Sequence, residues 1–452
     1  MNEHQVCTGA CLLGKCPFPS CIKYKQGGAH RPLKADMAIL TDGRLPKIPT
    51  GRSGYGIAVD IGTTTLALYL YDLTPGECVA VTSALNPQTS FGLDVISRIK
   101  YCRDNAAGTQ ELQSAVRDGL NAQIEKLCAR HNITPADVTE MSVTGNTTML
   151  HLLAGVNPSS MGEFPFTVPD YFGRKVSAES LGLITQAEVY LERCMAAFVG
   201  GDITSAILSS GMMNDDVALL LDIGTNGEVA LYAHGKLFVS STAAGPAFEG
   251  AELSCGMAAV SGAIDSVWVH DGQILKSVIG GGDVPKGLCG SGVIDVLALA
   301  RVAGAMDETG HIEEGPHTIQ IDGAPAFSVA EGVALTQRDV RRIQTAKSAI
   351  AAGVLALVHR AGLEGTDIRH VYLAGGFGNT MNAQSAMDIG LLPSEFSGII
   401  KNIGNAAGAG AGMTLLKGEY MKESARIAGL AEHVELGGDA YFMDKYIDCM
   451  MF

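Results

Sequence analysis

Two short phrases carry the chemistry that can be read from this chain: Val59-Asp60-Ile61-Gly62-Thr63-Thr64-Thr65 and Leu221-Asp222-Ile223-Gly224-Thr225-Asn226-Gly227-Glu228. Each ends an apolar, strand-like run in an aspartate, Asp60 or Asp222, which puts a carboxylate at a strand tip where it can hold hydrated Mg2+. Gly62 and Gly224 let the backbone turn tightly and approach a phosphate. The threonine hydroxyls and the turn amides supply donors for phosphate oxygens, in the manner of backbone nests. No Gly-rich lysine loop of the P-loop type occurs anywhere in the chain. One such phrase is an ordinary hairpin; two, with matched flanks, imply two lobes that clamp one nucleotide.

A second cluster lies at the N-terminus, where Cys7, Cys11, Cys16 and Cys21 are spaced C-x3-C-x4-C-x4-C among Gly9, Gly14, Pro17 and Pro19. So short a segment needs a metal to organise it, and four thiolates suit either an iron–sulfur (Fe-S) cluster or structural zinc. The spacing matches neither the bacterial nor the plant-type ferredoxin arrangement, so both readings, and that of unligated thiols, stay open. Cys78, Cys102, Cys128, Cys194, Cys255 and Cys449 stand singly and read as packed thiols.

The elements that must position these groups follow from periodicity. Alternating Tyr55, Ile57, Val59 and Ile61 before the first turn, with Leu66, Leu68 and Leu70 after it, make a hairpin. Residues 109 to 131 place Leu112, Val116, Leu120, Ile124 and Leu127 at helical spacing, and residues 338 to 361 do the same with Val340, Ile343, Ile350, Val354 and Leu357. A strand around Met141 to Val143 feeds a helix carrying His151, which reads as a helix residue. A strand-like stretch over 195–199 runs through Gly200-Gly201 into Asp202, either a helix N-cap or a cleft-facing acid.

In the second half, Val217 to Asp222, Val229 to Tyr232 and Lys236 to Ser240 repeat the strand-turn-strand opening. Two Gly-rich loops follow, at 243–251 and 287–292, each able to bring backbone amides to an anion. Cys289 and Ser291 have no base at a telling spacing and read as tight packing; Glu249 and Asp295 are the weaker carboxylate candidates. Lys347 reads as a solvated or domain-facing charge. The strand His370 to Leu373 ends in Gly375-Gly376-Phe377, where a flat ring can lie on the backbone, and the small-residue run from Gly404 to Ala411 can pack closely on a neighbour.

At 452 residues the chain exceeds one core, so two principal domains with appendages are expected. Its 47% hydrophobic content fits buried globular structure, and its net charge of −15 argues against nucleic acid or an anionic membrane as partner. Neither a signal peptide nor an apolar span of membrane length is visible, which places the protein in the cytoplasm.

Hairpin, helix, crossing segment, second hairpin and Gly-Gly turn, in that order, resemble the acetate kinase, sugar kinase, heat-shock chaperone and actin (ASKHA) superfamily. The longer phrases at 86–99, 220–228, 244–251 and 339–347 resemble the ATP-dependent reductive activators of corrinoid proteins over roughly residues 54 to 452. The resemblance implies an α/β, two-lobed actin-like ATPase fold of duplicated ribonuclease-H-like domains with mixed sheets, plus the Cys-rich segment. Its expected divisions are 1–30 for the metal segment, 31–53 for a linker, 54–205 for lobe I with a return of about 405–430, 206–404 for lobe II and 431–452 for a tail packed on the body.

By the same resemblance, Asp60 and Asp222 would position Mg2+, and Thr63, Thr64, Thr225 and Asn226 would line the phosphate hairpins. Gly375, Gly376 and Phe377 would meet adenosine, and Asp202 would orient the attacking water. The implied activity is ATP hydrolysis that drives a low-potential electron from an iron–sulfur centre onto a Co(II) corrinoid protein of an anaerobic methyl-transfer system. Such relatives carry a ferredoxin-like or Cys-rich cluster domain, and here the four-cysteine segment would serve, one 4Fe-4S cluster being the simplest stoichiometry and zinc the alternative. An electron-donor protein and a homodimer are the further partners implied. The competing readings are a small-molecule kinase on the same fold and a nucleotide-gated interaction protein.

Overall fold

The structure, a computed structural model, describes residues 47–271, 273–281, 284–375 and 381–452. Cys7, Cys11, Cys16 and Cys21, and the turn residues Gly376 and Phe377, lie outside the described residues.

The first repeat opens with β1 (Tyr55–Ile61), β2 (Thr65–Asp72) and β3 (Glu77–Leu85). It continues through α1 (Val95–Asp104), α2 (Gly108–Arg130), β4 (Val138–Gly145), α3 (Thr147–Ala154), β5 (Arg174–Ser177) and β6 (Glu188–Leu191). Helix α4 (Gly201–Ser210) crosses to the second repeat, which starts with β7 (Val217–Ile223), β8 (Gly227–Ala233) and β9 (Lys236–Thr242). An insertion supplies β10 (Ala263–His270), β11 (Gln273–Val278), β12 (Gly287–Leu288), α5 (Gly290–Val302), β13 (Thr318–Ile321), β14 (Ala324–Ala330) and β15 (Val333–Thr336). The repeat resumes with α6 (Gln337–Arg360), β16 (His370–Ala374), α7 (Ala383–Asp388) and β17 (Ile400–Gly404). Last come α8 (Ala406–Leu416), α9 (Gly418–Leu430), β18 (Ala431–His433) and α10 (Ala440–Asp448).

Duplication is explicit in the sheets. One six-stranded sheet runs β3-β2-β1-β4-β6-β5 and the other β17-β16-β7-β8-β9-β18. In each, the strand that ends in the aspartate pairs antiparallel with its hairpin partner and parallel with the strand on its other side: β1 with β2 and β4, β7 with β8 and β16. Both aspartate-bearing strands are therefore interior, which is why their sequences are nearly continuous apolar runs: Ile57, Ala58, Val59 and Leu219, Leu220, Leu221 are all buried. The two small sheets, β11-β10-β12 and β13-β14-β15, belong to the insertion.

Helices α2 and α6 bury the stripes that the spacing marks, and Thr336 and Asp339 close a capping box at the start of α6. Between the two large sheets lie α4 and α8. Helix α4 sets Ile203, Ala206 and Ile207 against Ala218, Leu220 and Ala230 of the second sheet, while α8 sets Ala411 and Leu415 against Ala58 and Tyr69 of the first. The two helices touch through small residues: a Cβ added at Gly410 would stand 2.2 Å from the Ser205 carbonyl oxygen. The glycine and alanine run of α8 is the sequence of this close crossing.

Three expectations change. Residues 195–199 form a tight turn and no strand, because the Met195 and Ala196 amides both donate to the Val199 carbonyl. The final part of the expected linker is docked: the Thr50 hydroxyl donates to the Leu73 carbonyl at 2.6 Å, and Arg52 Nη2 donates to the carbonyls of Leu415 and Leu416 at 2.9 and 2.7 Å. Lys347 is fully buried, its ammonium donating to the carbonyls of Cys449 (2.6 Å) and Met451 with the Phe452 ring 4.7 Å away. Gln344 and Ser348 beside it take the carbonyls of Met450 and Tyr446, so α6 binds the tail along one row of side chains. Among the described residues no helix is long and apolar enough to cross a membrane.

Candidate active site

The first turn is held by its carbonyls. Gly62 N donates to Thr65 O at 2.8 Å and closes the turn; Asn86 Nδ2 donates to Gly62 O at 2.9 Å, and Arg98 Nη2 donates to Thr63 O at 2.6 Å. Because C=O and N–H of one trans peptide point opposite ways, anchoring these two carbonyls aims the amides of Thr63 and Thr64 away from Asn86 and Arg98. Arg98 is buried, and its Nε donates to Gly92 O at 2.9 Å; burial lowers its pKa to about 10, which still leaves a cation at neutral pH. Asn146 caps α3 through Met149 N and donates its amide to the Thr63 hydroxyl at 3.1 Å.

The second turn closes in the same way, with Gly224 N donating to Asn226 O at 2.9 Å. Gly375, at the end of β16, has a φ of +83°, and a Cβ there would stand 2.4 Å from Asp222 Oδ1. Glycine is thus required at 375 both by the backbone conformation and by the carboxylate it abuts.

The two turns meet at Glu249. Thr64 Oγ1 donates to Glu249 Oε2 and Thr225 Oγ1 donates to Glu249 Oε1, each at 3.0 Å. Glu249 ends the 3-10 turn Pro246–Glu249, and the loop beyond it is tied to α6, where Asp339 Oδ1 accepts from Ser254 N at 2.8 Å.

Three aspartates share this cleft electrostatically. Burial raises Asp60 to a pKa of about 6, opposed by the 2.8 Å bond from Asn405 Nδ2. Asp222 rises to about 7 through burial, then the charges of Asp60 and Glu249. Asp202 rises to about 8 through burial, then Asp222 and Asp60. Glu228, opposite Asp222 in the β7–β8 register, is raised well above its ordinary value by burial and then by Asp202 and Asp222. Such mutual repulsion among enclosed carboxyls is a signature of functional sites.

Asp202 is not the cap of α4. That place belongs to Gly200, and the Asp202 Oδ1 instead accepts from Ile203 N at 2.8 Å, which orients the carboxyl. Asp60, Asp202 and Asp222 are brought together, with Gly62, Thr63, Thr64, Gly224, Thr225, Asn226 and Gly375 on the surrounding turns.

Other marked residues are structural. His151 Nδ1 bonds the Thr147 carbonyl at 2.6 Å and its Nε2 accepts from Asp170 N, so both ring nitrogens are spent inside the lobe. Ser291 donates to Asp265 O at 2.7 Å, Asp295 Oδ2 accepts from Val267 N, and burial pushes the Cys289 thiol pKa up. Asn86, Arg98, Asn146 and Asn405, which anchor the turn and Asp60, carry no site signal of their own; Asn86 and Arg98 fall within the phrase at 86–99 with nothing there to mark them.

A family model described as the C-terminal domain of RACo, the ASKHA domain, matches residues 216–452, and one described as the RACo middle region matches residues 55–215. The chain is 36% identical over 422 residues to the corrinoid activation enzyme RamQ of Eubacterium limosum, covering 88% of this chain and 70% of that protein. It is 24% identical over 436 residues to the Co(II) methylated amine-specific corrinoid protein reductase of Methanosarcina barkeri, covering 87% of this chain and 76% of that protein. A solved reductive activator for corrinoid, iron–sulfur protein superposes with a TM-score of 0.81 at 34% identity. That alignment covers 88% of this chain, which spans 66% of the solved one.

Proposed function

The chain belongs to the RACo family, whose middle region and C-terminal ASKHA domain it carries, and on that premise we propose that it is an ATP-hydrolysing reductive activator of a corrinoid protein. It uses hydrolysis to drive a low-potential electron onto an inactive Co(II) corrinoid of a methyl-transfer system, returning the cobalt to Co(I). Relatives named as a corrinoid activation enzyme and a Co(II) corrinoid protein reductase support this reading over a small-molecule kinase. The observation that carries its nucleotide half is the meeting of the Thr64 and Thr225 turns on one carboxylate, beside three electrostatically joined aspartates.

On this reading each residue of the two turns has a role. Gly62 and Gly224 admit the phosphates to the turn amides, and Thr63, Thr64, Thr225 and Asn226 donate to phosphate oxygens. Gly375, with Gly376 and Phe377, receives adenosine. Asp60 and Asp222 would hold Mg2+, and the donor set fits: magnesium takes one or two carboxylates and completes its shell with phosphates and water. Among the described residues no three His, Cys, Asp or Glu side chains could hold a metal by themselves. The ion would supply positive charge to the phosphate oxygens.

Asp202, oriented by the Ile203 amide, accepts the proton of the attacking water. Alone, its pKa of about 8 keeps it largely protonated, and the charge of Mg2+ on the neighbouring carboxylates would return it to the anion this step needs. The water oxygen forms a bond to the terminal phosphorus, the bond from that phosphorus to the bridging oxygen breaks, and ADP and phosphate leave. Closure of the two lobes around the phosphates gives hydrolysis a two-state element through which to act on a partner. For the redox half, Cys7, Cys11, Cys16 and Cys21 are the ligands proposed for an iron–sulfur cluster that takes its electrons one at a time from an electron-donor protein and passes them to the cobalt, in a homodimer.

Anaerobic purification with iron, sulfide and zinc analysis, repeated for Cys11→Ala and Cys16→Ala, tests the redox half. Iron and sulfide that fall in the variants support it, and an air-stable zinc protein contradicts it. Labelled ATP tests the hydrolytic half, because phosphate released to water supports it and phosphate transferred to a metabolite contradicts it.

A further inference from the structure

The carboxylate of Glu249 occupies donors that a phosphate needs. Thr64 and Thr225 come from different repeats, stand on the two phosphate-type turns, and each give their hydroxyl to one oxygen of the same side chain, at 3.0 Å. A carboxylate and a terminal phosphate share the chemistry that such a pair recognises: anionic oxygens spread to meet two donors from opposite sides. The carboxylate also lies over the glycine of the second turn, since a Cβ on Gly224 would meet Glu249 Oε1 at 3.4 Å. That is the face by which a phosphate would approach a glycine turn.

Gly245 (φ +76°) and Gly250 (φ +79°) bracket the turn that carries Glu249, and beyond it the Ser254 amide is fixed to Asp339 of α6. A Cβ at Gly245 would meet nothing within 4 Å, whereas one at Gly250 would stand 2.3 Å from the Met257 carbonyl oxygen, and Ala247, Phe248 and Leu253 are buried in the core, so the room lies at Gly245 and at the Glu249 side chain itself.

We propose that Glu249 is a clasp between the lobes, displaced by the terminal phosphate of a bound nucleoside triphosphate. This rests on the nucleotide reading given above. Glu249 links the two turns; a triphosphate takes the Thr64 and Thr225 hydroxyls, and the Glu249 side chain swings off them, loosening the 246–249 turn at Gly245. A mono- or diphosphate leaves the clasp closed. The loop therefore reports the presence of the terminal phosphate to α6 and, through it, to the tail. Glu249 is a positioning residue and touches no reacting bond.

The test is calorimetric titration of the full chain, with magnesium, using the non-hydrolysable analogue AMP-PNP, ADP and AMP, for wild type, Glu249→Gln and Glu249→Ala. Removing the clasp removes the cost of opening it, so AMP-PNP affinity rises about five-fold or more in Glu249→Ala and by less in Glu249→Gln, with AMP affinity unchanged. On wild type alone, hydrogen exchange of the amides in the 246–249 turn rises several-fold with AMP-PNP and not with ADP, a readout independent of whether the variants fold. Unchanged or weaker AMP-PNP binding in both variants, or equal loop exchange with AMP-PNP and ADP, overturns the clasp alone. A wild-type protein that binds no triphosphate contradicts the nucleotide reading, and the clasp with it.

Discussion

Asn405 joins two parts of the chain 345 residues apart: its amide donates to the Asp60 carboxylate at 2.8 Å while its carbonyl oxygen accepts from Gly408 N at 2.7 Å and caps α8. The helix that returns to the first sheet is thereby registered against the end of β1, where the first glycine turn begins. One side chain stabilises a helix end and lowers the pKa of an enclosed aspartate.

Asn405→Ala removes both bonds. The lost cap costs about 0.5–2 kcal/mol, lowering the melting temperature, and hydrolysis falls because Asp60 loses the donor that favours its charged form. Asn405→Asp keeps a capping oxygen but faces Asp60 with a second anion. Thermal unfolding and phosphate release together separate the effects: the Ala variant melts lower, and the Asp variant hydrolyses more slowly.

The raised aspartates also set a pH dependence. Asp60, Asp222 and Asp202 have folded pKa values of about 6, 7 and 8, all above the unfolded value near 3.9. The folded state then holds more protons between those limits, so the stability they contribute is fully present below about pH 4 and is lost as pH rises towards 8. Glu192, buried beneath Ser142, Thr414 and Ser424 with a pKa of about 7, adds the same sign. In metal- and nucleotide-free buffer the melting temperature should fall from pH 5 to pH 8. Asp222→Asn should flatten that slope, since it removes one titration and the charge that raises Asp202; an unchanged slope would contradict the coupling.

Lys347→Met keeps the length of the side chain but strands the carbonyls of Cys449 and Met451 without their shared donor. Buried acceptors left unpaired cost about 1–3 kcal/mol each, so the tail should detach before the body unfolds. Limited proteolysis should then cut within 434–452 in the variant and not in the wild type.

Gly410→Ala should be out of proportion to the methyl it adds. The new Cβ would meet backbone at 2.2 Å, and overpacking of this kind costs about 1–3 kcal/mol or more. Because α4 carries Asp202 near its start, forcing α8 away from it displaces the acid as well. Hydrolysis should drop more than ten-fold at a temperature where circular dichroism shows the variant folded.

Much of this arrangement was legible because it is local. The Asp-Ile-Gly-Thr phrases, the stripes of α2 and α6, and the small residues of α8 each follow from spacing within a few turns of chain. What was not legible depends on distant partners. Lys347 reads as solvated on its own helix and is buried only by carbonyls about a hundred residues later. Glu249 appears as a minor acid until the turns of both repeats close on it, and Asn405 as a helix start until Asp60 is set beside it. Asp202 reads equally as a cap or a cleft acid, because only the backbone shows that Gly200 takes the cap.

The most direct measurement of the central claim mixes the anaerobically purified protein with a Co(II) corrinoid protein of a methyl-transfer system and a low-potential reductant, following the Co(I) absorbance and phosphate release together. Co(I) should form only with ATP and magnesium, in step with phosphate release, and Asp202→Ala should abolish both. Co(I) forming at the same rate without ATP, or with Asp202→Ala, would contradict that claim.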